Sequence, residues 1–506
     1  MSQQDDIDQS NAPGGLLREG EMFFPLAVPM AVARLALAGL CMVDGAVLAQ
    51  MGSRELARWG LAWSVVGPLW MLGLVAVLAG GVFAARARAG SVSDRVEVGR
   101  IWQLSLVIAA AIGLVGALLA TLWPTVMGLS SSPGGLGTFS GPVAAVMSLS
   151  LLPGLLAVAC ADTLVSTDNG RMVVLAAVLA HVLNLALLLR LGGTLDSGLA
   201  PAAVHAAWTV AMVRLALAAV LLAGVWWLPR RKMFGLTRSW AAGDWRRGAD
   251  QRRRAVDSAA GMVVPAGLAF GLGLLAAWMG EVPMAALTGL CVLLTPAMVL
   301  GWSLAEAGAL RVAAMRLQGQ RRPNALARCA GRCAVLLTGL LVLLSLLYAA
   351  APRDLVQAVL VQPEVVETVL RVLPVGLGLV LIESLSMLFA GGLRSLGERR
   401  LPLVWQASTA ALTLPLAWGL AQAAQLGVLG LLLAFGLAAL LRAWALFAAY
   451  RDRAGDLDSA NADALRRHAK EIANGWADTV MMMPSPADMD EIAAGGVRSR
   501  RAARSQ

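Results

Sequence analysis

The chain alternates between apolar runs of roughly 20 residues or more and short segments rich in Arg, Gly and Pro. A helix rises about 1.5 Å per residue, so a run of about 20 is what crossing about 30 Å of hydrocarbon requires. Twelve such runs are present, at approximately 23–50, 57–84, 101–128, 139–165, 172–192, 199–229, 257–279, 283–310, 330–351, 365–393, 402–423 and 427–449. The pattern predicts an all-α polytopic membrane protein with twelve transmembrane helices. Several runs are long enough to cross at a tilt.

Basic residues gather in alternate connections, which tests that count. With the N-terminus inside, the inner connections hold Arg86, Arg88, Arg95 and Arg100, a dense stretch from Arg230 to Arg254, the segment from Arg311 to Arg332, and Arg394, Arg399 and Arg400. The other side keeps only Arg54, Arg58, Arg190, Arg353 and Arg371, at loops or span edges. Because Lys and Arg are retained on the cytoplasmic side, an even span number with both termini cytoplasmic is expected. The opening MSQQDDIDQSNAPGGLLREG is polar and acidic, without a basic n-region or short apolar h-region, so no cleaved signal peptide is expected. The expected location is the cell inner membrane.

Sliding the chain against itself by 228 residues pairs Met51 with Met279, Gly52 with Gly280, Pro68 with Pro296, Gly73 with Gly301, Gly80 with Gly308, Arg88 with Arg316, Arg171 with Arg399 and Arg214 with Arg442. One offset that aligns helix-shaping Gly and Pro with loop-anchoring Arg marks an internal repeat. Six spans per repeat give both halves the same orientation, related by an axis along the membrane normal, as in transporters that bind substrate between two lobes. The expected organisation is an N-terminal tail (1–22), an N-lobe (23–229), a basic inter-lobe loop serving as hinge (230–256), a C-lobe (257–450) and a polar C-terminal tail (451–506). The tail carries the helix-compatible DALRRHAKEIANGWA and reads as a solvated segment touching anionic lipid.

Composition narrows the partners. At 58% hydrophobic and 14% charged, with mean hydropathy +0.71, the chain is poorer in charge than soluble proteins, where about 25% is usual. Its net charge of +10 is scattered between spans and forms no basic, aromatic-interleaved stripe, so the lipid bilayer is the expected partner and nucleic acid is not. Five cysteines, all in or beside apolar runs, imply no disulfide framework. Cys329 and Cys333 stand one helical turn apart without a second pair of ligands, so no metal is expected. No phosphate-cradling Gly-Lys loop, His-Glu zinc pattern or Gly-x-Ser-x-Gly elbow is present. The chain does not read as an enzyme, and the energy for any transport should come from an ion gradient.

Ionisable groups inside spans are costly and become functional candidates. Asp44, in LALAGLCMVDGAVLAQMG, has no basic residue within one or two turns on its own helix. Low dielectric favours its neutral form, as a proton-coupling carboxyl requires. Asn184, in AHVLNLALLLR, is expected at the same depth in the outer half of the membrane, with His181 three residues earlier on the same helical face. Together they form a candidate cation-coupling set. Glu383, in LVLIESLSMLFAGGLRSLG, is the deep acid of the second half and a candidate substrate-cavity residue. Glu306 lies within two turns of Arg311 and reads as one half of an interfacial ion pair. Trp59, Trp123, Trp226 and Trp227 lie near span ends and read as interfacial anchors.

These segments resemble the multidrug and toxin extrusion (MATE) family of the flippase and exporter superfamily. FFPLAVPMAVARLALAGLCMVDGAVLAQMG is similar to that family's first helix, and HVLNLALLL to its Asn-bearing fifth helix. LIESLSMLFAGGLRSLGERRLP is similar to its Asp, then Gly, then Leu-Arg-Gly-x-Gly motif, with Glu383 in the acid's place eleven residues before Arg394. The resemblance covers about 23–450 and makes Asp44 the N-lobe cation-site acid, with Asn184 at the family's first polar position. It departs at Leu188, where the family usually offers Asn or Asp, and at Gly273, where many bacterial members carry Glu. Sodium wants several oxygen ligands, so the loss of two favours a proton as coupling ion over sodium; no other cofactor is implied.

The resulting expectation is a secondary active antiporter, monomeric, that exports small amphipathic or cationic compounds in exchange for protons by alternating access. The alternatives are a lipid-linked saccharide flippase, which would line its cavity with several Arg or Lys for phosphate, and a non-transporting membrane scaffold.

Overall fold

The computed structural model describes residues 14–89, 92–128, 136–167, 169–192, 202–228, 231–236, 242–317 and 325–481, and no strand occurs among them. In the first half, α1 (Gly14–Met51), α2 (Ser53–Ala89) and α3 (Val92–Gly128) occupy the first three runs. The fourth is shared by α4 (Leu136–Ser148) and α5 (Leu151–Ser166), followed by α6 (Gly170–Gly192) and α7 (Ala202–Trp226). In the second half come a short α8 (Ala242–Arg247), α9 (Ala249–Met279), α10 (Glu281–Leu317), α11 (Ala325–Ala350) and a short α12 (Pro352–Val359). They are followed by α13 (Pro363–Ser395), α14 (Arg400–Trp418) with a π turn (Gly419–Ala423), and α15 (Val428–Met481). Among the described residues ten spans are long and apolar enough to cross a membrane, and α1 and α14 lie on the two remaining runs, consistent with twelve.

The split between α4 and α5 follows from one residue. Pro153 has no N–H to give the Leu149 carbonyl, so the α-helical ladder fails at Leu149–Ser150, in the middle of an apolar run. Elsewhere buried and lipid-facing positions separate by helical periodicity. On α6, Val173, Ala177, Ala180, Asn184 and Leu188 are buried, whereas Leu175, Leu179, Val182 and Leu189 are exposed, as a helix facing lipid on one side requires. On α1 the buried stripe contains Leu40, Asp44 and Leu48.

The repeat is visible as contacts between the halves. Gly52, between α1 and α2, has φ 131°, and Gly280, between α9 and α10, has φ 118°. This is backbone that side chains disfavour, used twice at the repeat offset for the same tight turn. We call the face of the bundle holding these turns the Gly52 face. There Ser53 Oγ donates to Glu281, 228 residues away, and a Cβ on Gly60 would overlap the Oγ1 of Thr288, again its repeat partner. Just below, Gly45 is filled by Val292 and Gly273 by Ser64, two contacts that the same offset interconverts. Gln50 Nε2 completes this seam by donating to the carbonyls of Ala358 (3.2 Å) and Val359 (2.9 Å) at the end of α12. Near the opposite face Arg34 of α1 pairs with Glu306 of α10 at 2.5 Å.

Glu306, expected as one half of an interfacial ion pair, meets Arg34, 272 residues away, because α1 and α10 pack side by side. The basic segment expected as a loop is partly helical, with α9 starting at Ala249 and Gln251 donating to the Ile101 carbonyl (3.1 Å) and Ser105 Oγ (3.0 Å) of α3. Trp226 and Trp227 are exposed as anchors would be, but Trp59 is buried in the N-lobe core. Helix α15 runs well past the span to Met481; residues 1–13 and 482–506 of the tails lie outside the described residues.

Candidate cation site

Asp44 and Asn184 are brought together in the N-lobe by the inward stripes of α1 and α6. Asn184 Nδ2 donates to Asp44 Oδ1 at 2.6 Å, with Asp44 0% and Asn184 1% exposed. The remaining oxygens, Asp44 Oδ2 and Asn184 Oδ1, are buried without a hydrogen-bond partner. Buried acceptors are seldom left unsatisfied, because losing water without replacement costs about 1–3 kcal/mol each. Both belong to one hydrogen-bonded acid–amide pair.

A buried basic residue lies elsewhere in the same lobe. Arg214 of α7 is only 3% exposed. Its Nη1 donates to Ser150 Oγ at 2.7 Å, in the break between α4 and α5. Its guanidinium lies over the Trp70 ring at 4.4 Å and near that of Trp63 at 5.9 Å. Gly154 leaves the space for this stack, since a Cβ there would overlap the Trp70 ring. Arg214 is a further buried ionisable residue of the N-lobe, outside the candidate set drawn from the sequence. The sequence signal for it was the pairing of Arg214 with Arg442 at the repeat offset; nothing pointed to Ser150 or Trp70.

The other candidates sit apart from this pair. His181 is half-buried with its Cε1 about 2.8 Å from where a Cβ on Gly39 would be, more than a turn along α1 from Asp44. Leu188 is buried on the same stripe as Asn184 and offers no oxygen. Gly273 is closed off by Ser64 and has no room for a side chain. Glu383 lies in the other lobe, on α13, in an ion pair with Arg442 of α15. Ser386, one turn further along α13, has a buried Oγ without a hydrogen-bond partner.

This is a polytopic membrane protein of two pseudo-equivalent helical halves, with one buried acid–amide pair in the first and one acid–guanidinium pair in the second. Comparisons with known proteins agree with that class. The MatE family model matches residues 259–418. A Caulobacter vibrioides protein described as a probable multidrug resistance protein NorM is 27% identical over 430 residues, covering 84% of this chain and 90% of that protein. Among solved structures, the eukaryotic MATE transporter AtDTX14 superposes with a TM-score of 0.69 at 17% identity, covering 88% of this chain and all of that one. An inward-facing multidrug resistance MATE transporter superposes at 0.67 and 16% identity, covering 85% of this chain and 99% of that one. These findings show that the chain has the fold of MATE transporters and that its second half is similar in sequence to the MatE family.

Proposed function

We propose that the protein is a proton-coupled antiporter of the inner membrane, with both termini cytoplasmic and the Gly52 face outward, that exports small amphipathic, often cationic compounds by alternating access. The observation that carries this reading is the buried Asp44–Asn184 pair with its two unpartnered oxygens. A proton on Asp44 Oδ2 turns that atom into a donor with a vacant acceptor, Asn184 Oδ1, on the amide it already meets, so one proton satisfies both groups. Sodium would need several more oxygens, and Leu188 and Gly273 supply none.

Protonation from the outer side removes the negative charge that attracts a cationic compound to the N-lobe. The compound leaves outward, and the seam at Ser53–Glu281 and Gly60–Thr288 closes behind it. The proton then leaves towards the cytoplasm, which restores the anion for the next compound. The energy comes from the differential affinity of the two lobe arrangements for the proton and the compound.

The buried guanidiniums do not favour a saccharide flippase. Arg214 is stacked and hydrogen-bonded, and Arg442 is taken by Glu383. The test is efflux of a fluorescent cationic dye from liposomes holding the purified protein, under an imposed pH gradient with and without sodium. Export driven by the pH gradient alone is expected; export that needs sodium and ignores the pH gradient overturns the reading.

A further inference from the structure

We propose that the segment joining the two halves is a seat for the phosphate of an anionic phospholipid, held by Arg231 and Arg252 at the end of the bundle opposite the Gly52 face. The proposal is independent of the coupling ion and of the compound moved.

The segment is fastened to the N-lobe at both ends. Its first turn, 231–236, is closed by Leu236 N donating to the Arg231 carbonyl at 3.0 Å, and Gly99 N of α3 donates to the Phe234 carbonyl at 2.8 Å. Backbone meets backbone there, since a Cβ on Gly99 would overlap the Gly235 carbonyl oxygen. Phe234 and Leu236 are buried in one cluster with Ile101 of α3 and with Val225 and Leu228 at the end of α7. The other end is tied down beside it, where buried Gln251 reaches the Ile101 carbonyl and Ser105 Oγ. These fastenings span about 9 Å along α3, so the charge the segment carries is gathered onto one patch.

That charge has one sign. Residues 230–256 contain nine Lys or Arg against two Asp. Acids beside the patch are already matched, Glu97 by Arg100 at 2.5 Å and Asp257 by Arg399 at 2.8 Å. Two of the arginines are held in place by tryptophans. Arg231 Nη1 donates to the Trp226 carbonyl at 2.7 Å, and its guanidinium lies 5.7 Å from the centre of that ring. Arg252 repeats the arrangement on Trp245, donating to its carbonyl with the guanidinium 4.0 Å from the ring centre. Stacking steadies each planar cation, and the N–H groups not spent on the carbonyl suit the oxygens of a phosphate.

The surroundings name the source of that phosphate. Helix α7 begins at the Gly52 face, where Ala203 N donates to Glu55 Oε2 at 2.9 Å, and its 25 residues, about 36 Å, carry it across the hydrocarbon. Its outward stripe of Met212, Leu215, Leu222 and Trp226 is exposed and ends beside Trp227, which is 75% exposed. An acyl chain lying on that stripe brings its headgroup to Arg231, whereas a soluble phosphate would make no use of it. Basic residues just beyond a span end gain about fivefold in affinity for anionic lipid per charge.

The test uses the full-length protein in micelles containing phosphatidylcholine, titrated with phosphatidylglycerol, and reads the rise in melting temperature and the lipid kept on repurification. Arg231→Gln with Arg252→Gln should weaken half-saturation about 25-fold. Arg321→Gln with Arg322→Gln removes two charges from the other long basic connection and should change it by less than about twofold. Trp226→Ala with Trp245→Ala leaves the charges but not their supports and should weaken binding about threefold; it is the readout if the arginine variant does not fold. Equal losses from the two arginine pairs, or no preference for phosphatidylglycerol over phosphatidylcholine, overturn the seat. Inorganic phosphate protecting as well as the lipid overturns the lipid as its occupant.

Discussion

Ser53 and Glu281 are the same position in two repeats, and they touch: the hydroxyl of one donates to the carboxylate of the other across the line where the halves meet. Residues related by a two-fold operation contact each other only close to its axis, so this pair marks where the pseudo-axis passes through the Gly52 face. Gly60 and Thr288, a further pair at the same offset, mark it again about two turns lower. Movement that opens this face must separate these pairs. A Ser53→Cys/Glu281→Cys double variant should therefore crosslink under oxidation and stop transport, with activity returning on reduction. Full turnover by the crosslinked protein, checked by dye efflux and gel mobility, would show that the seam does not open.

The two glycines beside the axis make a second prediction. Gly45 and Gly273 each leave a hole that a side chain of the other half fills, Val292 and Ser64 respectively. Gly273→Ala puts a methyl where Ser64 already is and should cost about 1–3 kcal/mol in the arrangement closed at this face, the usual penalty for overfilling a tight contact. Because the clash has one named partner, Ser64→Gly in the same chain should recover most of the loss. Thermal melting in detergent and the proportion of Ser53–Glu281 crosslink measure both effects; a double variant no better than the single one would place the strain elsewhere.

The number of spans, the repeat and the acid–amide pair were legible in the sequence because each leaves a one-dimensional trace: run length, a constant offset, and polar residues in apolar helices. The partners of the charged groups were not. Along one helix the nearest cation to Glu306 is Arg311, five residues on, and Asp44 has none within two turns. In the fold Glu306 meets Arg34 on another helix, a pairing that no spacing along one helix announces. The split of the fourth run at Ser150 was likewise missed, although Pro153 marked it, and that split is what anchors Arg214.

Asp44→Asn should abolish coupling. The substitution keeps a side chain of similar size against Asn184 but cannot carry the proton, so efflux should fall at least tenfold and what remains should be flat with pH. Asn184→Ala keeps the titrating group and removes its 2.6 Å hydrogen bond, so a pH response should persist at reduced rate. In the wild type, acidifying the outer side should speed export, since it loads the carboxyl that discharges the compound. The opposite sign in liposomes would reverse the assigned order of binding.

The acid–guanidinium pair of the second half predicts a stability effect with a distinctive pattern. Arg442 is almost wholly buried, and Glu383 accounts for its ion pair. Removing the carboxylate alone, by Glu383→Gln, leaves a guanidinium without its charge partner in low dielectric and should cost about 3 kcal/mol, as losing one member of a buried pair commonly does. Removing both charges with apolar residues of similar size, Glu383→Leu with Arg442→Met, should cost much less, since neither desolvated charge is left unmatched. Melting temperatures of the two single variants and the double in one detergent test this. If the double falls as far as the sum of the singles, the two side chains act independently, and Glu383 is then available to a cationic compound.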